Sequence, residues 1–481
     1  MTRRLLTGIL VITTACHVTK PVERTSWPAL NAPGQQRISV NTHSGASYEL
    51  LSYSFSGSGL VATTGRQTGP RNSPLGLTSP TAIPYDSISV VKVSSFNKRG
   101  ALFAAAIGVT AGYFIIAQTK SGERPEAVPR PDPIASCPFI YSFDGENWTL
   151  DSETYAGAIA KGLERTETDN LEHITAVDGR YMLRLTNATD EAEYTDQLSL
   201  LVAEHPEGTR VYPDAAGNLH VAGASMLKLT SRHFKPVSLP ARSVWEASFR
   251  RPKGNRAALV VTVRNTEAAP FIHGEVLNTL GRDVYSWYHE VNTNPVAAGR
   301  AAEWFRTMGG LRVAALVQGE WRPETVLPVV GPVVAKTFIV PIDVDQTSET
   351  VKVRFESSPM LWQIEKIELA DYLGTPARRE ILPREAVDEN GSDVSALLSS
   401  IDGRYFVALN GSRITVEFDA GSQRPGMRLS VMARITGHYY ATSSDSGRGD
   451  RMLVDRLMSE PAFSQAYFMM KYVRHSLARS D

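Results

Sequence analysis

The stretch Val177-Asp-Gly-Arg-Tyr-Met-Leu-Arg-Leu185 carries two signals that decide the fold reading. Asp178-Gly179 is a pair suited to a type I′ turn, which needs positive φ at both central positions. Tyr181, Leu183 and Leu185 then recur at period 2, which turns one side of a strand toward a core and the other toward solvent. The same alternation returns in Leu259-Val-Val-Thr-Val263, Val351-Lys-Val-Arg-Phe355 and Ile414-Thr-Val-Glu-Phe418, and Asp-Gly pairs recur at Asp144-Gly145 and Asp402-Gly403. Residues 134 to about 445 therefore read as β-rich. Ile401-Asp-Gly-Arg-Tyr405 echoes Val177-Asp-Gly-Arg-Tyr181. The echo admits two readings, a shared sandwich element or convergent hairpin chemistry.

Boundaries are expected at Arg250 to Arg256 and Ala370 to Arg378, which are charged and carry Gly and Pro. They divide this half into a β-sandwich (134–250), a second, jelly-roll-like sandwich (251–372) and a β-rich module (373–445). Arg451 to Ala478 reads as helical with an interruption at Pro461. Phe463, Tyr467, Met470 and Val473 follow at 3–4 spacing, so the segment 446–481 is expected to dock as a helix on a β-domain.

Toward the N-terminus, short β-like runs fill 37–97: Arg37-Ile-Ser-Val-Asn-Thr42, Ser47-Tyr-Glu-Leu-Leu-Ser-Tyr-Ser-Phe55, Gly59-Leu-Val-Ala-Thr63 and Ile88-Ser-Val-Val-Lys-Val93. Ser44-Gly45 closes the first two into a hairpin, and Thr64 to Pro84 reads as a loop. The expectation is a small β-barrel-like unit. Residues 98–120 follow, with an uncharged apolar run from Ala101 to Ala117 and small residues Ala104, Gly108 and Gly112 every fourth position. Three readings stand: a transmembrane helix, an apolar hairpin dipping into a membrane, or a buried helix. Four prolines between Ser121 and Pro133 make 121–133 a stiff linker.

The first residues carry an export signal. Arg3 and Arg4 precede the apolar Leu5 to Ile12, and Thr13, Thr14 and Ala15 lead into Cys16. Cys16 after a small residue resembles the lipobox of bacterial lipoproteins, with Thr13 standing where that pattern has Leu. The resemblance implies removal of 1–15 as a signal peptide and lipid attachment at Cys16; the other reading is a plain signal peptide. Residues 16–36 read as a flexible tether.

The 481-residue, 52.6 kDa chain is long enough for about three folded units. Fifty basic and fifty acidic residues give a formal net charge of zero, which argues against a general nucleic-acid binder. Two cysteines, Cys16 and Cys137, cannot build a disulfide framework. Catalytic signatures fail in turn. No His-Glu-x-x-His, Cys-x-x-Cys, Gly-x-Ser-x-Gly or phosphate loop occurs, so no catalytic, cofactor-binding or metal residue is assigned. Asp388-Glu-Asn-Gly-Ser-Asp393 has oxygens spaced for a hard cation, yet lacks the downstream Glu that would close the cage, and a solvated turn is the plainer reading. Trp287, Tyr288, Trp304, Phe305, Trp321 and Trp362 cluster among β-like segments and fit either a core or a stacking surface.

Ser136-Cys-Pro-Phe-Ile-Tyr-Ser-Phe-Asp-Gly145, Ala156-Gly157, Lys161-Gly-Leu-Glu-Arg165 and Leu201-Val-Ala-Glu-His-Pro206 resemble a segment of uncharacterised exported bacterial lipoproteins. Leu311 to Leu369, with Gly319-Glu-Trp321 and Trp362-Gln-Ile364, is similar in layout to jelly-roll binding modules such as galactose-binding-like domains. The resemblances imply a mainly β, lipid-anchored protein of the bacterial envelope, exported and held at the outer membrane or periplasmic face. Its expected role is binding or assembly, with sandwich surfaces presented to envelope proteins or glycans and no nucleic acid. The alternative is an envelope hydrolase acting on glycans through carboxylates from separate strands.

Overall fold

The structure is a computed structural model that describes residues 17–22, 27, 38–43, 46–55, 59–68, 74–76, 81–96, 138–189, 191–230, 237–239, 242–441 and 447–478. The signal peptide, Cys16, the apolar run Ala101 to Ala117, the linker 121–133 and Cys137 lie outside the described residues. The chain divides into two units, Met1–Arg130 and Pro131–Asp481.

The first unit is one antiparallel sheet. Its strands are β1 (His17–Val22), β2 (Ile38–Thr42), β3 (Ser47–Phe55), β4 (Gly59–Thr68), β5 (Pro74–Gly76), β6 (Thr81–Pro84) and β7 (Ile88–Phe96), in the order β1-β7-β2-β3-β4-β5 with β6 also on β4. Ile38, Val40, Leu50, Leu60 and Val91 alternate inward to full burial and make its core. The strand path is open at β1 and β5, so the expected barrel-like closure is not seen among the described residues. Two other expectations change. The tether contributes β1, where Lys20 pairs with Val93, and Trp27 is buried against Phe55 and Tyr85. The expected loop 64–84 supplies the end of β4 and all of β5 and β6. Burial of Trp27 and the open edge of β7 outweigh the polar composition there.

The second unit opens with β8 (Phe139–Phe143), β9 (Trp148–Glu153), β10 (Arg165–Asn170), β11 (Arg180–Thr186) and β12 (Glu191–Pro206). Next come β13 (Arg210–Pro213), β14 (Leu219–Thr230), β15 (Val237–Leu239), β16 (Arg242–Arg250) and β17 (Arg256–Asn265). Three helices follow, α1 (Ala268–Leu280), α2 (Val284–Thr293) and α3 (Pro295–Gly309). Then β18 (Leu311–Val317), β19 (Glu320–Leu327), β20 (Lys336–Asp343), β21 (Thr350–Ser357) and β22 (Trp362–Tyr372) complete the middle of the chain. The chain ends with β23 (Ala377–Ile381), β24 (Glu385–Asp388), β25 (Phe406–Ala408), β26 (Arg413–Asp419), β27 (Met427–Ala441), α4 (Arg451–Ser459) and α5 (Pro461–Ala478).

These strands form four five-stranded sheets, and their membership shows a nested plan. One sheet runs β24-β26-β11-β8-β9 and another β10-β27-β12-β23, with β25 on β12. Both combine strands from before residue 207 with strands from after residue 376. Between them are inserted β13-β14-β22-β17-β20 and β15-β16-β21-β18-β19. The expected boundaries at 250/251 and 372/373 therefore do not separate independent modules. The strands of 373–445 complete sheets begun by 139–206, and β16 and β17 belong to the same inserted pair of sheets. The reason is register: Tyr181, Leu183 and Leu185 of β11 stand opposite Phe418, Val416 and Ile414 of β26, so two distant alternating runs bury one common face.

Apolar faces of the four sheets meet in one continuous core that includes Leu183, Leu200, Phe249, Leu259, Phe355 and Phe418. β12 is buried on both faces, because Leu201 and Ala203 also pack with Val211, Leu219 and Val221. Such a strand reads as an unbroken apolar run rather than an alternation.

The Asp-Gly turns fall as expected in part. Asp178 (φ 49°) and Gly179 (φ 74°) make a two-residue type I′ turn, with Val177 and Arg180 exchanging N–H···O bonds of 2.8 and 2.9 Å. At Ile401-Asp-Gly-Arg-Tyr405 only Gly403 has positive φ, and the Asp402 and Gly403 N–H groups donate to the Asp196 carboxylate. The echo is thus two different turns.

Helices α1–α3 occupy residues expected to be β-like. Their start signal is Asn294-Pro295: the Asn294 side chain accepts from the Val296 N–H at 3.0 Å, and Pro295 fits the first helical position. Ala297, Ala301, Trp304 and Met308 then recur at helical spacing and are buried. At the C-terminus, Pro461 divides α4 from α5. These helices pack on α1 and α3 rather than on a sheet, with Phe468 buried beside Trp304 and the Tyr472 ring 5.3 Å from that of Phe271. Among the described residues no helix is long and apolar enough to cross a membrane.

Candidate functional site

Among the described residues of the second unit, polar side chains converge in several places, the His438–Glu164 pair among them; two others border the hollows described below. The first is a buried charged network where β9, β10 and β20 meet. Arg165, Glu167 and Asp169 alternate along β10, so all three project to one side. Lys336, at the start of β20, places Nζ 3.0 Å from Glu167 Oε2 and 3.5 Å from Asp169 Oδ2. Arg165 pairs with Glu167 Oε1, and the Tyr155 N–H donates to Glu167 Oε2 at 2.7 Å. Ser152 Oγ donates to Asp169 Oδ2 at 2.5 Å. Beside them Glu153 Oε2 accepts from the Val333 and Val334 N–H groups at 2.8 and 3.3 Å.

Burial sets the electrostatics here, because it penalises every charged form. Glu153 has no exposure, and burial pushes its carboxyl up to about 7. Burial likewise raises Asp169 to about 6, against the pull of Lys336 and Ser152. At Glu167 burial is outweighed by Arg165, Lys336 and the Tyr155 N–H, so this carboxyl lies below its ordinary value. At Lys336 burial is outweighed by Asp169 and Glu167, which hold the ammonium charged.

Two neighbouring hollows adjoin this network. One of about 200 Å³ has Glu167, Lys336 and Asp214 in its wall, and one of about 400 Å³ is walled by Leu163, Glu164, Phe305 and Val326; Arg165, Ala215 and Pro328 line both. A glycan hydrolase would need an ionised and a protonated carboxyl facing such a cleft. Glu167 faces it, but its oxygens are taken by Arg165, Lys336 and Tyr155. Glu153 holds a raised pKa yet has no exposure. The carboxylates therefore act on protein cations and backbone N–H groups.

The second place is an open polar hollow of about 390 Å³ between β10, β12, β13 and β27, with Asn170, His205, Arg210, Tyr212 and Arg428 in its wall. His205 bridges Thr209 Oγ1 and Ser430 Oγ, each at 2.9 Å, and burial lowers its pKa, which keeps the ring neutral. Arg210 Nη1 donates to Glu368 at 2.9 Å, whereas Arg210 Nη2 and Asn170 Oδ1 are buried without a hydrogen-bond partner. A buried donor and acceptor left unmatched cost free energy, on the order of 1–3 kcal/mol each, until something bonds them. Tyr212 supplies a half-buried aromatic face in the same wall.

The residues singled out by sequence fare differently. Asp388 Oδ1 accepts from the Asn390 and Ser392 N–H groups, and Asp393 Oδ1 accepts from Ser395, so that acidic stretch is a self-satisfied turn. Trp287, Tyr288 and Trp304 are core residues of α2 and α3, correcting their expected place among strands, and Trp362 Nε1 donates to the Gly309 carbonyl at 2.7 Å. Phe305 lines the 400 Å³ hollow, and Trp321 is half-buried under the Arg354 guanidinium at 4.1 Å. Among the described residues no group of three or more His, Cys, Asp or Glu side chains is placed to hold a metal ion. Sequence reasoning missed the network and the polar hollow. Its available signal was Arg165-Thr-Glu-Thr-Asp169, where charge alternates at strand period in place of apolar residues.

No family model matches the chain, and no curated protein matches it. Among solved structures, a chain titled "CBM4 structure and function" aligns at 13% identity over 35% of this chain and 79% of its own, with a TM-score of 0.14. A chain titled "Structure of infectious bursal disease virus Gx strain" aligns at 8% identity over 95% of this chain and 91% of its own, with a TM-score of 0.13. Superpositions this loose bear on neither architecture nor function; the mainly β fold rests on the sheets themselves.

Proposed function

We propose that this protein is a non-enzymatic binding protein of the bacterial envelope that takes a glycan in the polar hollow of its second unit. One observation carries the reading: Asn170, Arg210, Arg428 and Tyr212 bring an amide, two cations and an aromatic ring to the wall of one open hollow. A sugar presents vicinal hydroxyls that donate and accept at once, and its C–H face packs on an aromatic ring. Glu167 and His205, beside the hollows, already spend their hydrogen-bonding groups on protein partners, which supports binding over catalysis. Export and lipid attachment at Cys16, with the bilayer as partner, are part of the proposal and rest on the N-terminal sequence. The envelope-hydrolase reading is disfavoured by the engagement of Glu167 and the burial of Glu153.

The test is calorimetric titration of the full chain with soluble envelope polysaccharides, beside Arg210→Ala and Tyr212→Ala. Binding that weakens about tenfold or more in both variants is expected, as loss of one charge-assisted hydrogen bond or one ring face costs about 1–3 kcal/mol. Equal binding by all three proteins would move the site elsewhere. Release of reducing sugar ends would restore the hydrolase. Fatty-acid analogue labelling of wild type and Cys16→Ala tests the anchor, and label retained in the variant would remove it.

A further inference from the structure

The charged network holds a second chemistry that binding does not use. We propose that Lys336 and Asp169 condense into an intramolecular amide bond between β20 and β10, with Glu167 carrying the proton.

Three observations place the reacting groups. Lys336 Nζ lies 3.5 Å from an Asp169 carboxyl oxygen, and both residues are almost fully buried, at 3% and 5% exposure. Glu167 Oε2 lies 3.0 Å from the same Nζ, in position to take its proton. Ser152 Oγ donates to Asp169 Oδ2 at 2.5 Å, which draws electron density from the carboxyl carbon. Held at this separation by two strands, amine and carboxyl have the high effective concentration of an intramolecular reaction. Asp169 does not line the hollow that Glu167 and Lys336 border, so its carboxyl carbon is shielded from the water that would drive the reverse hydrolysis.

The step balances without an outside reagent. Lys336 Nζ gives one proton to Glu167, an uphill transfer from the resting ion pair that the irreversible loss of water draws forward, and its freed lone pair forms the N–C bond to the Asp169 carboxyl carbon. The tetrahedral adduct collapses by breaking one C–O bond. The departing oxygen leaves as water, carrying the proton returned by Glu167 and a second one from nitrogen. Ammonium and carboxylate become a neutral amide plus one water, and Glu167 ends as it began. The high proton affinity of the buried Asp169 carboxyl, raised to about 6, assists departure of its oxygen. Desolvation favours the product too, since a buried ion pair costs more than a buried amide.

The bond would tie the sheet containing β10 to the inserted sheet containing β20, a covalent clamp that needs no cysteine.

The test is a tryptic peptide map of the purified full-length wild-type protein by tandem mass spectrometry. A branched species joining residues 166–180 to residues 313–352, about 18 Da lighter than the sum of its parts, is expected. Cleavage after Lys336, giving linear peptides of unmodified mass and no branched species, would overturn the proposal. Asp169→Ala should abolish the branched species, and persistence there would overturn Asp169 as the acceptor. Glu167→Gln keeps both reacting groups, so a cross-link formed at wild-type yield would overturn its role in proton transfer. The wild-type map decides the central question even where a variant folds poorly.

Discussion

The carboxyl group of Glu153 fills the space that a side chain on Gly331 would need. A Cβ built on Gly331 would lie 2.1 Å from the Glu153 carboxyl carbon, and Gly331 has φ +95°. Contact and conformation both demand glycine there, because the same approach lets the Val333 and Val334 N–H groups reach the carboxylate. Gly331→Ala should destabilise by about 2–4 kcal/mol, from overpacking plus backbone strain. Gly179, with φ +74° and no atom within 4 Å of its built Cβ, is the control. Gly179→Ala should cost only about 1 kcal/mol. Denaturant unfolding of both variants checks the contrast, and equal losses would contradict it.

Stability should fall with rising pH through Glu153. Its carboxyl goes from an ordinary 4.5 to about 7 in the fold, so the native state binds this proton more tightly than the unfolded chain. The contribution is complete below the ordinary value and is lost as pH climbs through the folded one. Glu153→Gln keeps a neutral side chain and removes the titration. The stability difference between wild type and variant should therefore change across that window, as read from unfolding midpoints at successive pH values. Parallel curves would show that Glu153 does not titrate in this way.

Trp304 fastens the C-terminal helix. Its ring lies 5.9 Å from that of Phe468, and its Nε1 donates to Ser464 Oγ at 3.1 Å. Trp304→Ala should cost about 3–5 kcal/mol, the range for emptying a large buried aromatic site. It should also expose α5 to limited proteolysis before the rest of the unit. Unchanged protection of α5 would separate the helix from this anchor.

Asp196 holds the 400–405 loop through the Asp402 and Gly403 N–H groups, at 3.2 and 3.0 Å. Asp196→Ala should leave both donors to water and weaken the loop by about 1–3 kcal/mol. Hydrogen exchange at those two amides should quicken while exchange in β12 stays slow. Unaltered exchange would mean that the loop is held by other contacts.

Half-buried strands were the legible part of this protein. Tyr181, Leu183 and Leu185 announce an inward face by alternation alone, and Asp178-Gly179 announces its turn. Residues 284–309 misled because aromatic and β-branched residues suit strands as well as helices, and the local sign of a helix start there is the single Asn294-Pro295 cap. Ile401-Asp-Gly-Arg-Tyr405 misled in the opposite way, since its turn is imposed by a distant carboxylate at Asp196. The network at Glu167 shows locally only as the charge alternation of Arg165-Thr-Glu-Thr-Asp169, and the hollow at Arg210 draws on residues scattered over several strands, so no local spacing betrays it.

Sequence alone thus determined the character of the alternating strands, the Asp178-Gly179 turn and the helical C-terminus, because periodicity and turn chemistry are properties of neighbouring residues. Tertiary structure alone decided which strands share a sheet. Burial of a common face joins Leu183 to Val416 across the inserted segment, and the same nesting carries Lys336 to Asp169. Neither pairing has a local cause; each follows from sheets whose apolar faces have only one another to cover them.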